Sequence, residues 1–329
     1  MKKLHYIIYG AGGIGGTIGA RLIQAGCRVT LIARGEHARV MRERGLRLTD
    51  PNDSVLLPVV CVDHPREIDD VGEQVVALMC VKSQQMETAL RDLYARFGDT
   101  CRVVCVQNGV HNERAALRYF SRVYATVVNL PALHLHPGEV ITHADGLGGI
   151  LDTGCYPDGS DAACQEITDD LSRGGFSARP DERVMRWKYA KLLMNLGNIL
   201  QAGIRTGEDI TPIGRCLKHE ALACFEAAGL ECASRSEVDE RRNGVYRMAD
   251  IAGIERSGGS SWQSMARGTG DIETAYLNGE ICLLGRLHGV PTPVNEACMR
   301  MARELIRRDA GPGQFTLADF ADWVAPQPG

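Results

Sequence analysis

The chain has 329 residues, of which 44% are hydrophobic and 24% charged, and its formal net charge is −4. This length is enough for two domains with a sizeable core, and the composition is typical of globular proteins. The weakly negative charge and the lack of a basic stripe argue against nucleic acid as a partner. Charged residues or histidine interrupt every apolar stretch before it reaches the length of a membrane span.

The N-terminal Met-Lys-Lys leads directly into the first predicted strand, at residues 5–9. The sequence shows no apolar segment followed by a cleavage site, so we expect no signal peptide and a cytoplasmic location.

The first predicted strand runs into a glycine-rich turn, Gly10-x-Gly12-x-x-Gly15, and a helix is predicted over 14–25. In a dinucleotide-binding turn the first glycine permits the tight bend. The second lets a pyrophosphate approach the backbone, and the third lets the helix pack against the strand. A second strand is predicted at 28–33, which completes the context that this motif requires. The pattern predicts a nucleotide site formed by Gly10, Ala11, Gly12, Gly13, Ile14 and Gly15.

The second strand ends at Arg34, where enzymes of this kind that use NAD carry an acidic residue. An arginine there favours NADPH, because its guanidinium makes planar, bidentate bonds to the ribose 2′-phosphate. His37 and Arg39 are close enough in sequence to assist. Glu36 is the one contrary residue. We therefore predict NADPH as the cofactor.

Further strands are predicted at 75–80, 102–106 and 123–128, with helices at 36–44, 84–97 and 111–119 between them. Such alternation predicts a parallel, doubly wound sheet. Three short strands near 133–136, 140–143 and 148–152 favour an antiparallel extension at one edge. The fold class is therefore α/β: an N-terminal Rossmann-type domain, residues 1–179, followed by an all-α substrate domain, residues 180–329. The helices of the second domain are predicted at 183–202, 208–230, 236–250, 261–287 and 293–308.

The twelve cysteines include no Cys-x-x-Cys pair, and the nine histidines are scattered. We expect free thiols, as in a reducing compartment, and no metal site.

Polar residues follow two predicted strands on the nucleotide side, as Lys82-Ser-Gln-Gln85 and Gln107-Asn108-Gly109. Such positions face the cofactor in this fold, although Asn-Gly is also an excellent turn dipeptide.

Two polar residues in the predicted helix 183–202 are four positions apart and share a face, Lys191 and Asn195. Lys188 is expected on a neighbouring, solvated face. Glu273 follows later in the chain, and its carboxylate could bond substrate hydroxyls or form a cap or ion pair within the domain.

Together these residues resemble the ketopantoate reductase family over nearly the whole chain. The resemblance rests on Lys82-x-x-Gln85, Gln107-Asn108-Gly109, Lys191-x-x-x-Asn195, Ser261 twelve residues before Glu273, Tyr-Leu-Asn278-Gly279 and Gly289-Val-Pro-Thr-Pro-x-Asn295. It implies that NADPH delivers a hydride to the keto carbon of a 2-oxo acid. The first substrate to expect is ketopantoate (2-dehydropantoate), whose reduction belongs to pantothenate biosynthesis.

The same resemblance implies a role for each site residue. Lys191 is similar to the general acid that protonates the forming alkoxide, and Glu273 to the residue that engages the substrate hydroxyl and orients that lysine. The remaining positions divide between substrate contacts (Asn195, Ser261 and Asn108) and cofactor contacts (Lys82, Gln85, Asn108 and Glu273).

The sequence departs from the family pattern at two positions, Ile199 and Ala275. Ile199 stands where the family usually has a second asparagine. Because small changes in a pocket can alter specificity, reduction of a different 2-oxo acid or of an imine stays open, as does a non-catalytic nucleotide-sensing protein. We expect a small-molecule partner and leave a homodimer open.

Overall fold

The computed structural model describes residues 4–69, 74–254 and 272–324. The strands of its largest sheet are β1 (His5–Tyr9), β2 (Arg28–Ile32), β5 (Val60–Val62), β6 (Val75–Met79), β7 (Arg102–Cys105), β8 (Val123–Asn129) and β12 (Ile150–Cys155). These seven strands lie in the order β12-β8-β7-β6-β1-β2-β5. Neighbouring strands are parallel except at one edge, where β12 runs antiparallel to β8.

Helices cover both faces of this sheet, as a doubly wound fold requires. Alternate side chains of β1 enter separate cores: Tyr6 and Ile8 join one cluster, whereas Ile7 and Tyr9 join the other. Both faces are buried, which explains why the strands read as continuous apolar runs. The helices flanking the sheet are α1 (Gly13–Gln24), α2 (Gly35–Arg44), α3 (Met86–Phe97), α4 (Asn112–Ala116) and α5 (Ala162–Arg173).

A second sheet has the order β4-β3-β10-β9. The predicted antiparallel extension is therefore only partly right. The stretch near 148–152 joins the main sheet as β12, whereas the two preceding predicted strands join this second sheet. Val140 of the second sheet packs in the same hydrophobic core as Tyr6. The strands of the second sheet are β3 (Leu46–Thr49), β4 (Ser54–Leu57), β9 (Ala132–Leu133) and β10 (Glu139–Thr142).

The chain divides into two compact units. Among the described residues, unit 1 comprises 4–69, 74–107, 111–187 and 234–254, and unit 2 comprises 108–110, 188–233 and 272–324. The predicted boundary between residues 179 and 180 lies inside unit 1.

The segment after residue 234 also belongs to unit 1, and its predicted helix over 236–250 is wrong in its second half. The helix α9 (Arg235–Arg242) ends near Gly244 (φ +69°), and β13 (Tyr246–Met248) then pairs with β11 (Ala144–Gly146). The Arg241 guanidinium binds the buried carboxylate of Asp152 through two contacts of 2.7 and 2.6 Å. These pairings hold the segment on the sheet domain.

Unit 2 is helical in the part that the structure describes, apart from short turns and an isolated backbone bridge. The helix α6 (Val184–Asn195) belongs to unit 2 from Lys188 onward. The other described helices of this unit are α7 (Asn198–Gly203), α8 (Thr211–Ala227), α10 (Asn278–His288), α11 (Pro293–Arg307) and α12 (Leu317–Val324). The α/β class with a helical C-terminal part is confirmed. No helix of the described ranges is both long and apolar enough to cross a lipid bilayer.

A buried polar network fixes the helices of unit 2. The Glu220 carboxylate accepts the backbone N–H groups of Val294 and Asn295, at 2.8 and 3.0 Å, in the first turn of α11. The Asn295 side chain donates to the same carboxylate at 2.7 Å and accepts from Asn278 at 3.0 Å. Asn278 also donates to the Leu196 carbonyl at 3.1 Å. Glu220 and Asn278 therefore satisfy buried backbone groups, and the side chain of Asn295 links the two.

Candidate active site

The glycine turn after β1 has the geometry that its sequence predicts. Gly10 has φ +100°, and a Cβ there would lie 2.9 Å from the backbone nitrogen of Val81. A Cβ on Gly15 would collide with the Gly10 carbonyl and lie 2.9 Å from Cγ2 of Ile8. A Cβ on Gly12, by contrast, would meet no heavy atom within 4 Å. The turn is thus closed on the side of the strand and open at the predicted position of the pyrophosphate.

The first turn of α1 is suited to an anion. Its N-cap residue, Gly12, makes no side-chain capping bond, and the first turn carries no acidic side chain. The first backbone N–H groups of a helix have no partner within the helix and lie at the positive end of its dipole. The pyrophosphate of a dinucleotide fits these donors.

His37 stabilises this turn from α2. Its Nε2 donates to the Ala11 carbonyl and its Nδ1 accepts from the Gly138 N–H, both at 2.8 Å. Burial, with the His134 ring 4.1 Å away, lowers the pKa of His37 to about 4. A neutral ring with both nitrogens engaged positions the backbone and does not attract a phosphate, so the suggestion that His37 assists at the 2′-phosphate is wrong.

Arg34 places a positive charge at the start of α2, at the predicted position of the 2′-phosphate. It is the N-cap residue of α2 and its side chain is 67% exposed. Arg39, the other suggested helper, is instead bound to Glu36 at 2.5 Å and Glu43 at 2.7 Å. The same pairing holds Glu36, the residue that would have favoured NADH.

Asp92 of α3 places a carboxylate beside Arg34. Its Oδ2 lies 3.9 Å from Arg34 Nη2 and 3.4 Å from His64 Nε2, and it accepts from the Tyr9 hydroxyl at 3.1 Å. Burial, together with this carboxylate, raises the pKa of Tyr9 to about 12. Asp92 is not recognisable from the sequence, because an acidic residue within an amphipathic helix gives no local signal of a distant partner.

Lys82 and Gln85 lie at the carboxyl end of β6, the neighbour of β1 in the sheet. Lys82 precedes a short 3₁₀ helix, Ser83–Gln85, and Gln85 caps α3. The buried amide of Asn112 donates to the Ser83 hydroxyl at 3.0 Å and holds this loop in place. Both residues therefore stand at the crevice where this fold binds nucleotides.

Asn108, predicted to contact both cofactor and substrate, belongs to unit 2 and is half-buried. It precedes Gly109, whose positive φ of +82° forms the turn and whose Cα faces the Tyr276 carbonyl.

Three polar side chains share one face of α6. Lys188, Lys191 and Asn195 follow the spacing i, i+3, i+7, which places them along one stripe of a helix. Lys188 is only 3% exposed, so the expectation of a solvated lysine on another face is wrong. Lys191 is half-buried and Asn195 is 7% exposed. The structure thus brings together the predicted acid, its predicted neighbour and a second cation.

Two buried polar atoms of unit 2 lack a hydrogen-bond partner within the described ranges: Asn195 Nδ2, on this face of α6, and Thr274 Oγ1. A buried donor without a partner costs about 1–3 kcal/mol, so such atoms are expected where a ligand supplies the missing bond. Thr274 was not among the predicted residues; its neighbour Glu273 was the only signal.

Glu273 begins a 3₁₀ helix, Glu273–Tyr276, that leads into α10, and its side chain is half-buried. The bond from Asn278 to the Leu196 carbonyl fixes the start of α10 beside the end of α6, where Asn195 lies. Ser261 lies outside the described residues. Of the two departures, Ile199 is buried in the helical core at 1% exposure and Ala275 is exposed.

Family models match both parts of the chain. The model described as ketopantoate reductase PanE/ApbA matches residues 6–157, and its C-terminal counterpart matches residues 183–306. The chain belongs to the ketopantoate reductase family. It is thus an oxidoreductase of the kind that acts on a CH–OH group.

Relatives of similar sequence agree with this membership, and solved structures share the fold. The chain is 28% identical to the 2-dehydropantoate 2-reductase of Pyrococcus horikoshii, over 88% of this chain and 93% of the relative. It is 25% identical to that of Archaeoglobus fulgidus, over 92% and 98%. A PanE/ApbA family ketopantoate reductase from Ralstonia eutropha JMP134 superposes with a TM-score of 0.76 at 25% identity, over 93% and 99%. D-mandelate dehydrogenase, solved with NADH and anilino(oxo)acetate, shares the fold at 22% identity, with a TM-score of 0.78 over 92% and 99%.

Proposed function

We propose that this protein is an NADPH-dependent reductase that converts 2-dehydropantoate to pantoate, a step of pantothenate biosynthesis. The observation that carries the proposal is the buried amide of Asn195, which has no partner for its Nδ2 among the described residues and shares a face of α6 with Lys191. A substrate with oxygen atoms would satisfy that donor. Family membership and the 2-dehydropantoate 2-reductases of similar sequence support the choice of substrate.

The nicotinamide, when bound, supplies the hydride that reduces the keto carbon. The negative charge that develops on the substrate oxygen must then be met by a cation or an acid. Lys191 fills both roles in our proposal, because its ammonium can donate a hydrogen bond and then a proton. Lys188, buried on the same face, adds positive charge that favours an anionic substrate.

Substrate recognition is assigned to the remaining polar groups of unit 2. Asn195 donates to an oxygen of the substrate, and Glu273 accepts from its hydroxyl group and orients Lys191. Ser261 and Asn108 complete the contacts by family resemblance. A site that bonds a substrate hydroxyl discriminates strongly against an analogue without it, because buried groups would lose their partner.

The preference for NADPH rests on Arg34 and on what surrounds it. The guanidinium stands exposed at the end of β2, whereas Glu36 is engaged by Arg39. Lys82 and Gln85, at the end of β6, are proposed as further cofactor contacts, beside the turn of residues 10–15. An arginine at this point of the fold receives a 2′-phosphate, where an acid would bind the 2′-hydroxyl of NADH.

A second candidate is the reduction of a 2-oxo acid that lacks the hydroxyl group of 2-dehydropantoate. The observation in its favour is Ile199, which offers a buried apolar side chain where the family usually has an amide. Without that amide the protein has one hydrogen-bonding group fewer to select for a substrate hydroxyl, so discrimination against an analogue without the hydroxyl is expected to fall.

The test is a measurement of NADPH consumption by the purified protein over a panel of 2-oxo acids, with and without an amine. We expect the highest kcat/KM with 2-dehydropantoate, no requirement for the amine, and slower turnover with NADH. Faster turnover of a 2-oxo acid without the hydroxyl would support the second candidate instead. Turnover that requires the amine would show an imine reductase, and absence of turnover with NADPH binding intact would show a nucleotide-sensing protein.

A further inference from the structure

Two cysteines and an aspartate meet at the edge of the main sheet in unit 1. Cys155 is the last residue of β12, Asp161 is the N-cap residue of α5, and Cys164 lies in the first turn of α5. One ligand atom from each residue lies within 4.8 Å of the other two, and the two sulfur atoms are 3.8 Å apart. The spacing Cys-x₈-Cys matches no standard metal motif, which is why the sequence analysis predicted no metal site.

We propose that Cys155, Asp161 and Cys164 form a binding site for a thiophilic divalent cation, Zn²⁺ in the first place. Two thiolates bound tetrahedrally at ~2.3 Å from zinc lie ~3.8 Å apart, which is the separation found here without an ion. A disulfide would require the sulfurs to approach to ~2.05 Å. The sulfur atoms of Cys155 and Cys164 therefore already have the separation of two zinc-bound thiolates, with no movement of the backbone.

The carboxylate of Asp161 is held in the orientation that a ligand needs. Its Oδ1 accepts the backbone N–H of Cys164 at 2.8 Å, and its Oδ2 accepts the Tyr124 hydroxyl at 2.9 Å. Hydrogen bonds of this kind orient metal ligands, and each carboxylate oxygen keeps a lone pair for the cation. Tyr124 is thus a positioning residue: its hydroxyl holds Asp161.

Burial differs across the three ligands and leaves one side of the site open. Cys164 is fully buried, Cys155 is half-buried and Asp161 is exposed. Water can therefore supply the fourth ligand, as in zinc sites with three protein ligands. The charge also suits the position: one Zn²⁺ with two thiolates and one carboxylate carries a net charge of −1, which the positive end of the α5 dipole stabilises.

Metal binding would change the protonation of both thiols. Each thiol loses its proton to solvent when its sulfur binds the metal, so one Zn²⁺ releases two protons. No oxidation or reduction takes place.

The site is separate from the proposed cofactor site. In the register of the sheet Cys155 pairs with Tyr124, near the start of β8, whereas the glycine turn follows the carboxyl end of the parallel strand β1. The two lie at opposite ends of the strands. A cation at this site would therefore take no part in the proposed reduction; it would join the end of β12 to the start of α5.

The experiment adds Co²⁺ and Zn²⁺ to the full chain, purified in a reductant that binds no metal and freed of metal by a chelator. Co²⁺ bound by thiolates absorbs in the near ultraviolet, so we expect this absorption to saturate with one equivalent and to disappear when Zn²⁺ replaces Co²⁺. Cys155→Ser and Cys164→Ser should each abolish it. Loss of residues behind a metal site costs about 10–100-fold in affinity, so Asp161→Asn should weaken binding by at least that factor.

Asp161→Asn guards against misfolding, because asparagine caps a helix as well as aspartate does. The matched control is Cys216→Ser, which removes an exposed cysteine from unit 2 and should leave the absorption unchanged. Three results would overturn the proposal: no thiolate absorption in the parent protein, an undiminished absorption in both cysteine variants, or a Cys155–Cys164 disulfide that forms while the reduced protein takes up no metal.

Discussion

The glycine turn of unit 1 and the polar face of α6 in unit 2 are built in different ways. The turn is shaped by its own segment and by the end of the neighbouring strand. A Cβ on Gly15 would meet the Gly10 carbonyl and Ile8, and a Cβ on Gly10 would meet the backbone of Val81, just after β6. The α6 face depends on partners far along the chain, since Asn278 of α10 fixes the Leu196 carbonyl and Asn295 with Glu220 fixes Asn278. Local geometry thus defines the cofactor side, and a buried long-range network defines the substrate side.

The largest effect is expected on the α6 face. Lys191→Ala should lower kcat by ~10² or more, because both the proton donor and the positive charge at the forming alkoxide are removed. The affinity for NADPH should be retained, since the proposed cofactor contacts of the turn and Arg34 lie in unit 1. Steady-state kinetics with 2-dehydropantoate and fluorescence titration with NADPH measure the two quantities separately.

The control for this variant is Lys218→Ala. Lys218 is an exposed lysine of α8 in the same unit, and its removal should leave kcat within error of the parent. Lys188 is unsuited as a control because it is buried on the α6 face. A normal kcat in Lys191→Ala would remove the chemical role from this residue.

On the cofactor side, Arg34→Ala should weaken NADPH and leave NADH nearly unchanged. A charge-assisted hydrogen bond contributes about 1.5–3 kcal/mol, roughly ten- to a hundredfold in affinity. Titration of both cofactors against Arg34→Ala and Arg44→Ala tests this, because Arg44 is an exposed arginine at the other end of α2. Equal weakening of NADPH and NADH in Arg34→Ala would show that Arg34 does not read the 2′-phosphate.

The two glycines of the turn should separate stability from binding. Gly15→Ala forces a methyl group onto the Gly10 carbonyl and the Ile8 side chain, and we expect a loss of about 1–3 kcal/mol in the free energy of unfolding. Gly12→Ala places its methyl group in open space, so the fold should tolerate it while NADPH binding weakens. Denaturant unfolding measures the stability of both variants, and titration with NADPH measures their cofactor affinity. Normal binding of NADPH by Gly12→Ala would contradict the predicted role of Gly12.

The smallest effect concerns pH and His37. Its pKa in the folded state, about 4, lies below the ordinary value of 6.5, so the unfolded chain binds a proton first as the pH falls. The contribution of His37 to stability is therefore complete above pH 6.5 and is lost between about pH 6.5 and 4. Because the ring is partly exposed, we expect on the order of 1 kcal/mol.

Denaturant unfolding at several pH values within that window measures this loss. His37→Gln should reduce the pH dependence of the free energy of unfolding, whereas His288→Gln, which changes an exposed histidine of α10, should not. His5 also has a pKa lowered to about 4 by burial, so part of the pH dependence should remain in His37→Gln. An unaltered pH profile in that variant would contradict the role of His37.

The sequence predicted the elements whose signals are local. The strand–turn–helix motif, the parallel sheet and the pairing of Lys191 with Asn195 on α6 all follow from spacing within a few turns or strands. It failed where partners are distant. Lys188 was expected in solvent, although its i+3 and i+7 neighbours place it on the buried face of α6. The roles of Asp92, Glu220 and Thr274 had no signal in the neighbouring sequence. Gly244 predicts the break after α9, but not the pairing of β13 with β11.

The transfer of the hydride to 2-dehydropantoate is tested most directly with a labelled cofactor. The protein is incubated with 2-dehydropantoate and NADPH deuterated at both C4 positions, so that either hydride is labelled, and the product is analysed by mass spectrometry and NMR. We predict pantoate with deuterium at the carbon that held the keto group, in amounts equal to the NADPH consumed. Consumption of NADPH without deuterium in the product, or no product at all, would contradict the account.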